Sequence, residues 1–212
     1  MTEARTEGGD WYLGDAEEQH RAHPRSFFIP SLEERSTLTP GRGVRLMFMR
    51  RAARPGEPRA ERMWLEVEGV DDAGYTGVLK NQPVFVEELA PENRVAFEPR
   101  HVMAIDDSRW EPYLELRAFA NVRLLENDDL ELDFVHHEHD DTPLEDGTRC
   151  SGWELHAPDE TQEEIDDPAN IRMPNLAWLM ERYPAFGELV FSGAVTGTWS
   201  YDVGSGRFMR EV

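Results

Sequence analysis

The densest chemistry in the chain lies at His136-His137-Glu138-His139-Asp140. Imidazoles bind zinc, nickel or copper, and neighbouring carboxylates can complete such a site. On a strand, side chains alternate in direction, so His137 and His139 would face one way and His136 and Glu138 the other. Two ligands on one face leave a site incomplete. A third would come from Asp141, His156 or a second chain. His137, His139 and Asp141 are thus the metal-ligating candidates, the set a metal-dependent hydrolase would use. The zinc-protease spacing His-Glu-x-x-His is missing, and an exposed polar loop accounts for the same residues. No cofactor is expected.

Other chemical readings are thinner. The Asp and Glu runs lack the alternating oxygen-ligand order of a helix–loop–helix calcium site. Cys150 with His156 raises a nucleophile reading, but such pairs must meet in space and no orienting group can be named. With 43 acidic residues, any two carboxylates could be nominated for glycoside chemistry. The glycines form no phosphate-binding fingerprint. A single cysteine excludes an intrachain disulfide and fits a reducing, cytoplasmic compartment. The start, MTEARTEGGDWYLG, has no basic region followed by an apolar run. No stretch approaches the ~18 apolar residues a membrane span requires.

Charge is the strongest signal. The 212 residues carry a formal net charge of -21. Residues 1–62 hold 11 basic and 10 acidic residues, whereas the other 150 hold 11 basic and 33 acidic. Such a field repels a phosphate backbone, which argues against nucleic acid as a partner, and it steers a basic protein inward. Residues 126–146 contain ten acids and no Lys or Arg, and 158–168 read PDETQEEIDDP. Glu126, Asp128, Asp129, Glu131, Asp140, Asp141, Asp159, Glu160, Glu163 and Glu164 are the expected contacts to a basic partner. Trp153 is expected to act as support or as an exposed aromatic anchor. Acidity that serves only solubility or salt adaptation remains the open alternative.

The elements that must position these residues read as α+β. Residues 1–26 form a polar lead-in containing a short helix, Asp15 to His23. Ser31 with Glu34 fits a capping box. Strand signals follow at Val44 to Met49, at the alternating Met63, Leu65 and Val67, at Tyr75 to Leu79, at Asn93 to Phe97 and near Ile105. The pattern predicts a small curved β-sheet or barrel-like N-terminal domain over 27–107. An acidic α+β domain over 108–212 follows. There, Glu111 to Leu125 reads as a helix grading into a turn, with a strand over Phe119 to Leu124 as the alternative. Leu130 to Phe134 reads as a strand, and 158–168 as a short acidic helix. A helix follows from Asn175 to Tyr183, stopped by Pro184. The chain closes in a β-hairpin about Gly204-Ser205-Gly206.

Ser151-Gly152-Trp153-Glu154, then Asp159-Glu160, then Asp167-Pro168-Ala169-Asn170 resembles the Ser-Gly-Trp family of small bacterial domains, grouped with immunity proteins of polymorphic toxin systems. The family pattern lies at Ser151, Gly152, Trp153, Asp159, Glu160, Asp167, Pro168 and Asn170. The first part, through Pro40-Gly41, Met63-Trp64, Val67, Tyr75-Thr76-Gly77, Leu79, Asn81, Pro83, Val95 and Phe97, is similar to a second bacterial domain of unknown function. The resemblance implies a non-catalytic protein-binding module, an immunity-type inhibitor of a basic toxin. A metal-dependent hydrolase and a generic accessory protein are the alternatives. The acidic insertion with its histidines departs from the family pattern.

Overall fold

The computed structural model describes residues 7–139, 143 and 149–211. Asp140 and Asp141 lie outside the described residues. The chain divides into two compact units, Met1–Glu111 and Pro112–Val212.

The first unit runs through β1 (Trp11–Leu13), α1 (Ala16–Ala22), α2 (Leu32–Ser36), β2 (Gly43–Arg50), β3 (Ala60–Asp71), β4 (Gly74–Leu79), β5 (Arg94–Phe97) and β6 (Val102–Ile105). Its sheet has the order β1-β2-β3-β4-β5, with β6 also on β2, and every pairing is antiparallel. It is a curved, half-barrel sheet. The two-residue period explains its core: Val44, Leu46 and Phe48 of β2 and Met63, Leu65 and Val67 of β3 are all buried on one face. Bulges at Arg45/Leu46 and Val67/Gly69 bend the strands.

Residues 7–26 are part of this fold and not a lead-in. Trp11 is fully buried and packs 5.4 Å from Phe48, while β1 pairs with the later half of β2. The sequence reading missed this because β1 is only three residues long and flanked by polar segments.

The second unit contains β7 (Leu116–Asn121), α3 (Val122–Glu126), β8 (Phe134–His137), β9 (Arg149–His156), α4 (Gln162–Asp166), β10 (Ile171–Arg172), α5 (Leu176–Arg182), α6 (Pro184–Phe191), β11 (Gly197–Asp202) and β12 (Arg207–Arg210). The sheet order is β10-β7-β9-β8-β11-β12, and β7/β9 is its parallel pair. The terminal hairpin is present as β11/β12. Val135, Trp153, Leu155 and Trp199 are buried, as are Leu176, Leu179, Met180 and Phe186 from α5 and α6. Gly187 lets the two helices pack closely, since a Cβ there would stand 2.7 Å from the Met180 carbonyl oxygen.

Two local readings are corrected. Residues 116–121 form a strand, and α-helix is confined to Val122–Glu126 with one 3-10 turn at Glu111–Tyr113, because β7 pairs with β9 on one side and β10 on the other. The strand expected at Leu130 to Phe134 begins only at Phe134. α5 ends at Arg182, ahead of Pro184 as expected, and Pro184 then opens α6, where its missing N–H falls among donors that have no helical partner anyway. No helix among the described residues is long and apolar enough to cross a membrane.

Candidate functional site

The two acidic stretches are brought together by strand direction. β7 and β9 are parallel, so Asn121 and His156 leave the sheet at the same end. β8 is antiparallel to β9 with Phe134 opposite His156, so residues 127–133 also lie at that end. β11 pairs Ser200 with Phe134, which adds Asp202. One end of the sheet therefore carries 126–133 and 159–167. β8 splits the first acidic run: Glu138 and His139 emerge at the opposite end.

Glu126, Asp129, Glu131, Asp159 and Glu163 are exposed. Among the described residues none of these five carboxylates takes part in an ion pair. Asp133, not singled out from sequence, is exposed at the same end.

Other expected contacts are already used. Asp128 accepts from Arg182 at 3.0 Å. Glu164 closes the Thr161 capping box, and its carboxyl is held below the usual range by the Thr161 backbone N–H and hydroxyl. Glu160 is turned inward, with its side chain 1% exposed. Trp153 is 3% exposed, 5.2 Å from Phe186 and 5.4 Å from Trp199, so it supports the core and is no exposed anchor.

Glu160 belongs to a buried cluster. Its Oε2 lies 2.7 Å from His156 Nδ1, while Glu154 stands 3.9 Å from the other ring nitrogen. Phe134 stacks on the imidazole at 4.1 Å and 6°. Burial pulls His156 down, but the Glu154 and Glu160 carboxylates outweigh it and hold the imidazole above its usual value. In return, the His156 contact lowers Glu154. Asp159 sits at φ 60°, in the left-handed region, and turns the chain just before Glu160. The sequence reading missed this pairing. Four residues separate the two side chains, but β9 ends between them, so no helical spacing marks the pair.

Among the described residues the β8 histidines assemble no metal centre. His137 Nε2 donates to the Ser151 carbonyl at 3.2 Å, and its ring lies 4.6 Å from Trp153. Burial lowers the His137 imidazole, so the neutral ring is favoured. His136 Nδ1 is 2.9 Å from Thr198 Oγ1. No group of three or more His, Cys, Asp or Glu among the described residues is placed to hold a metal. Asp141, the third candidate ligand, falls outside them. Cys150 is buried and lies at the far end of β9 from His156.

The Ser-Gly-Trp motif has a local role here. β9 bulges between Cys150 and Glu154, and Gly152 takes φ 76°, which favours glycine. That bulge sets the direction of Trp153. Ser151 Oγ accepts from the Trp153 N–H at 3.3 Å. Asp167 caps the turn at Pro168 through the Ala169 N–H, and Asn170 ties back to the Glu164 carbonyl. Comparisons with protein-family models, curated proteins and solved structures gave no match.

Proposed function

We propose that the protein is a non-catalytic binding module, which captures a basic protein at the acidic end of the second unit's sheet. An immunity-type inhibitor of a basic toxin, acting in a bacterial cytoplasm, is the specific form of this reading. It draws on the Ser-Gly-Trp resemblance as well as on charge. The observation that carries it is the convergence of Glu126, Asp129, Glu131, Asp159 and Glu163 on one end of the sheet, all exposed and outside the ion pairs among the described residues. Like charges gathered this way repel each other at a small cost that water and salt screen. A basic partner would release that repulsion and be steered in by the same field.

The test compares the full chain with a variant carrying Glu126→Gln, Asp129→Asn, Glu131→Gln, Asp159→Asn and Glu163→Gln. Each is used to capture proteins from host-cell extract, and the association rate of whatever is retained is measured at low and high salt. The expected result is a basic protein whose association slows by about tenfold in the variant, with the difference shrinking in salt. Equal rates for both chains, or no basic protein retained by either, would leave the acidity as a solubilising surface only.

A further inference from the structure

The core face of the second unit's sheet runs on past its helices. Alternation puts Tyr201 on the same face as the buried Trp199, and Phe208 stands opposite Tyr201 in the terminal hairpin. The two rings lie 5.4 Å apart and are half-buried. The α5–α6 junction, Tyr183 to Phe186, does not close over them. A cavity of about 390 Å³ remains, walled by the rings, by that junction and by Asp128, Leu130, Glu131 and Leu132. Its size is within the range of small-ligand pockets, which begin at roughly 300 Å³.

The fold holds these walls in place. The Tyr183 hydroxyl lies 3.3 Å from the Leu124 carbonyl and 3.2 Å from that of Leu130. The Tyr201 N–H donates to the Asp133 carbonyl at 2.8 Å. These contacts fix the ends of the 130–133 segment against α5 and β11, so a ligand meets a pocket that is already formed.

The polar lining is accessible and has a sign. Glu131 is exposed and meets no cation among the described residues. Arg182 also lines the cavity, but its guanidinium is engaged. It donates to Asp128 and to the Asn127 carbonyl, both at 3.0 Å, and lies 5.1 Å from the Tyr183 ring centre. Asp128 and Arg182 therefore balance, and Glu131 is the charge left over, beside two aromatic rings. A carboxylate next to ring faces suits a guanidinium, which is more weakly hydrated than an ammonium and stacks on aromatic planes. The protein already holds the guanidinium of Arg182 in this way.

We infer that this cavity takes one arginine side chain, the anchor of a basic protein partner. The guanidinium donates to Glu131 and lies against Tyr201 and Phe208. The inference rests on the acidic-end reading for its partner and adds a specific point of attachment to it.

Acetylated, amidated tri-arginine is titrated into the full chain at physiological salt. Binding is followed by the ring resonances of Tyr201 and Phe208 and by the backbone amides of 159–167. Tri-lysine, of equal charge, and tri-citrulline, an uncharged isostere, are the controls. Tri-arginine should saturate, move both rings and bind about fivefold tighter than tri-lysine, and tri-citrulline should not bind. Tyr201→Leu removes a ring face, and Ala185→Trp fills the cavity from the start of α6. Both leave every charge in place, and each should weaken tri-arginine by about fivefold. Ala185→Trp carries the test if Tyr201→Leu fails to fold. Tri-arginine that moves the 159–167 amides but not the rings, or binds no better than tri-lysine, overturns the pocket and leaves the acidic surface standing. No saturable binding overturns the pocket as well. If no basic protein is captured while tri-arginine still moves the rings, the acidic-end reading fails and the arginine pocket does not. On a captured protein, Ala185→Trp should speed dissociation, whereas removing the exposed carboxylates slows association.

Discussion

The two units treat charge in opposite ways. The first, with 21 acidic and 15 basic residues, spends its charges on itself. Arg35, its side chain 6% exposed, bonds Glu17 at 2.7 Å and the carbonyls of Pro30 and Pro99. Arg94 grips Glu68 with two nitrogens, Arg50 holds Glu57 at 2.7 Å, and Lys80 sits between Glu66 and Glu92. The second unit has 22 acidic residues against 7 basic ones. Arg182–Asp128 and His156–Glu160 are pairs there, but five exposed carboxylates at one sheet end stand outside any ion pair among the described residues. Much of the charge in the first unit is therefore tied into the fold, although Glu33, Asp72 and Glu87 are exposed and in no ion pair among the described residues. In the second unit acidic residues outnumber basic ones by 15, and the repulsion among the exposed ones works against the fold.

The largest effect should come from breaking the first kind of charge. Arg35→Met removes the cation that three acceptors share and leaves two carbonyls and Glu17 without it. Loss of one partner of a buried pair costs about 3–5 kcal/mol in comparable sites, and Glu17 is partly exposed, so about 3 kcal/mol is expected. Amide hydrogen exchange on the full chain reads it locally. Protection should fall in β2 and β6 and hold in β8 and β9. A loss below about 1 kcal/mol would mean that the pairing is incidental, and the contrast between units would fail.

Much of the first unit was legible because its information is local. Met63, Leu65 and Val67 alternate as a half-buried strand must. Ser31 and Glu34 form the capping box that their spacing implies. Asp71 closes the β3–β4 turn through the Ala73 and Gly74 N–H groups. What was hidden depends on distant partners. β7 reads as a helix until β9, more than thirty residues later, lies parallel to it. The Glu61 carboxylate takes the N–H groups of Val84, Phe85 and Val86, a contact across more than twenty residues that no local pattern marks. The site was less legible still. Glu160 stands in an acidic run that looks solvated throughout, and only the turn at Asp159 separates it from its exposed neighbours. The shared sheet end of 126–133 and 159–167 follows from strand direction, which no local pattern encodes.

A moderate effect should come from two histidines of opposite sense. His156 is held above its usual value by Glu154 and Glu160 against the pull of burial. Its contribution is therefore full at pH below the ordinary imidazole value and is lost as pH rises through the elevated folded value. His101 is pushed down by burial and by Arg100, with Nδ1 accepting from the Glu98 N–H at 2.9 Å. Its contribution is full above the ordinary value and is lost as pH falls. Between about pH 5 and pH 8, acidification should thus tighten the β9–α4 region and loosen the β5–β6 region. His137, also lowered by burial, opposes His156 within the second unit, so single variants are needed. His156→Gln should remove the first pH dependence and His101→Gln the second, both read by hydrogen exchange. A β9–α4 region that loosens on acidification in the parent and stays unchanged in His156→Gln would refute the assigned role of the pair.

The smallest effect should come from the surplus itself. Glu126→Gln, Asp129→Asn and Glu131→Gln remove charges that meet no cation among the described residues, so each should move stability by about 0.5 kcal/mol or less. The sign matters more than the size. Relief of repulsion predicts a slight gain, largest at low ionic strength and gone once salt screens the exposed charges. A carboxylate that secretly served the fold would show the reverse, a loss of stability that persists in salt. If all three variants gain slightly and lose that gain in salt, the second unit is carrying a charge pattern against its own stability. Solubility needs only net charge, spread anywhere. A pattern gathered at one sheet end is what recognition by a basic surface would require.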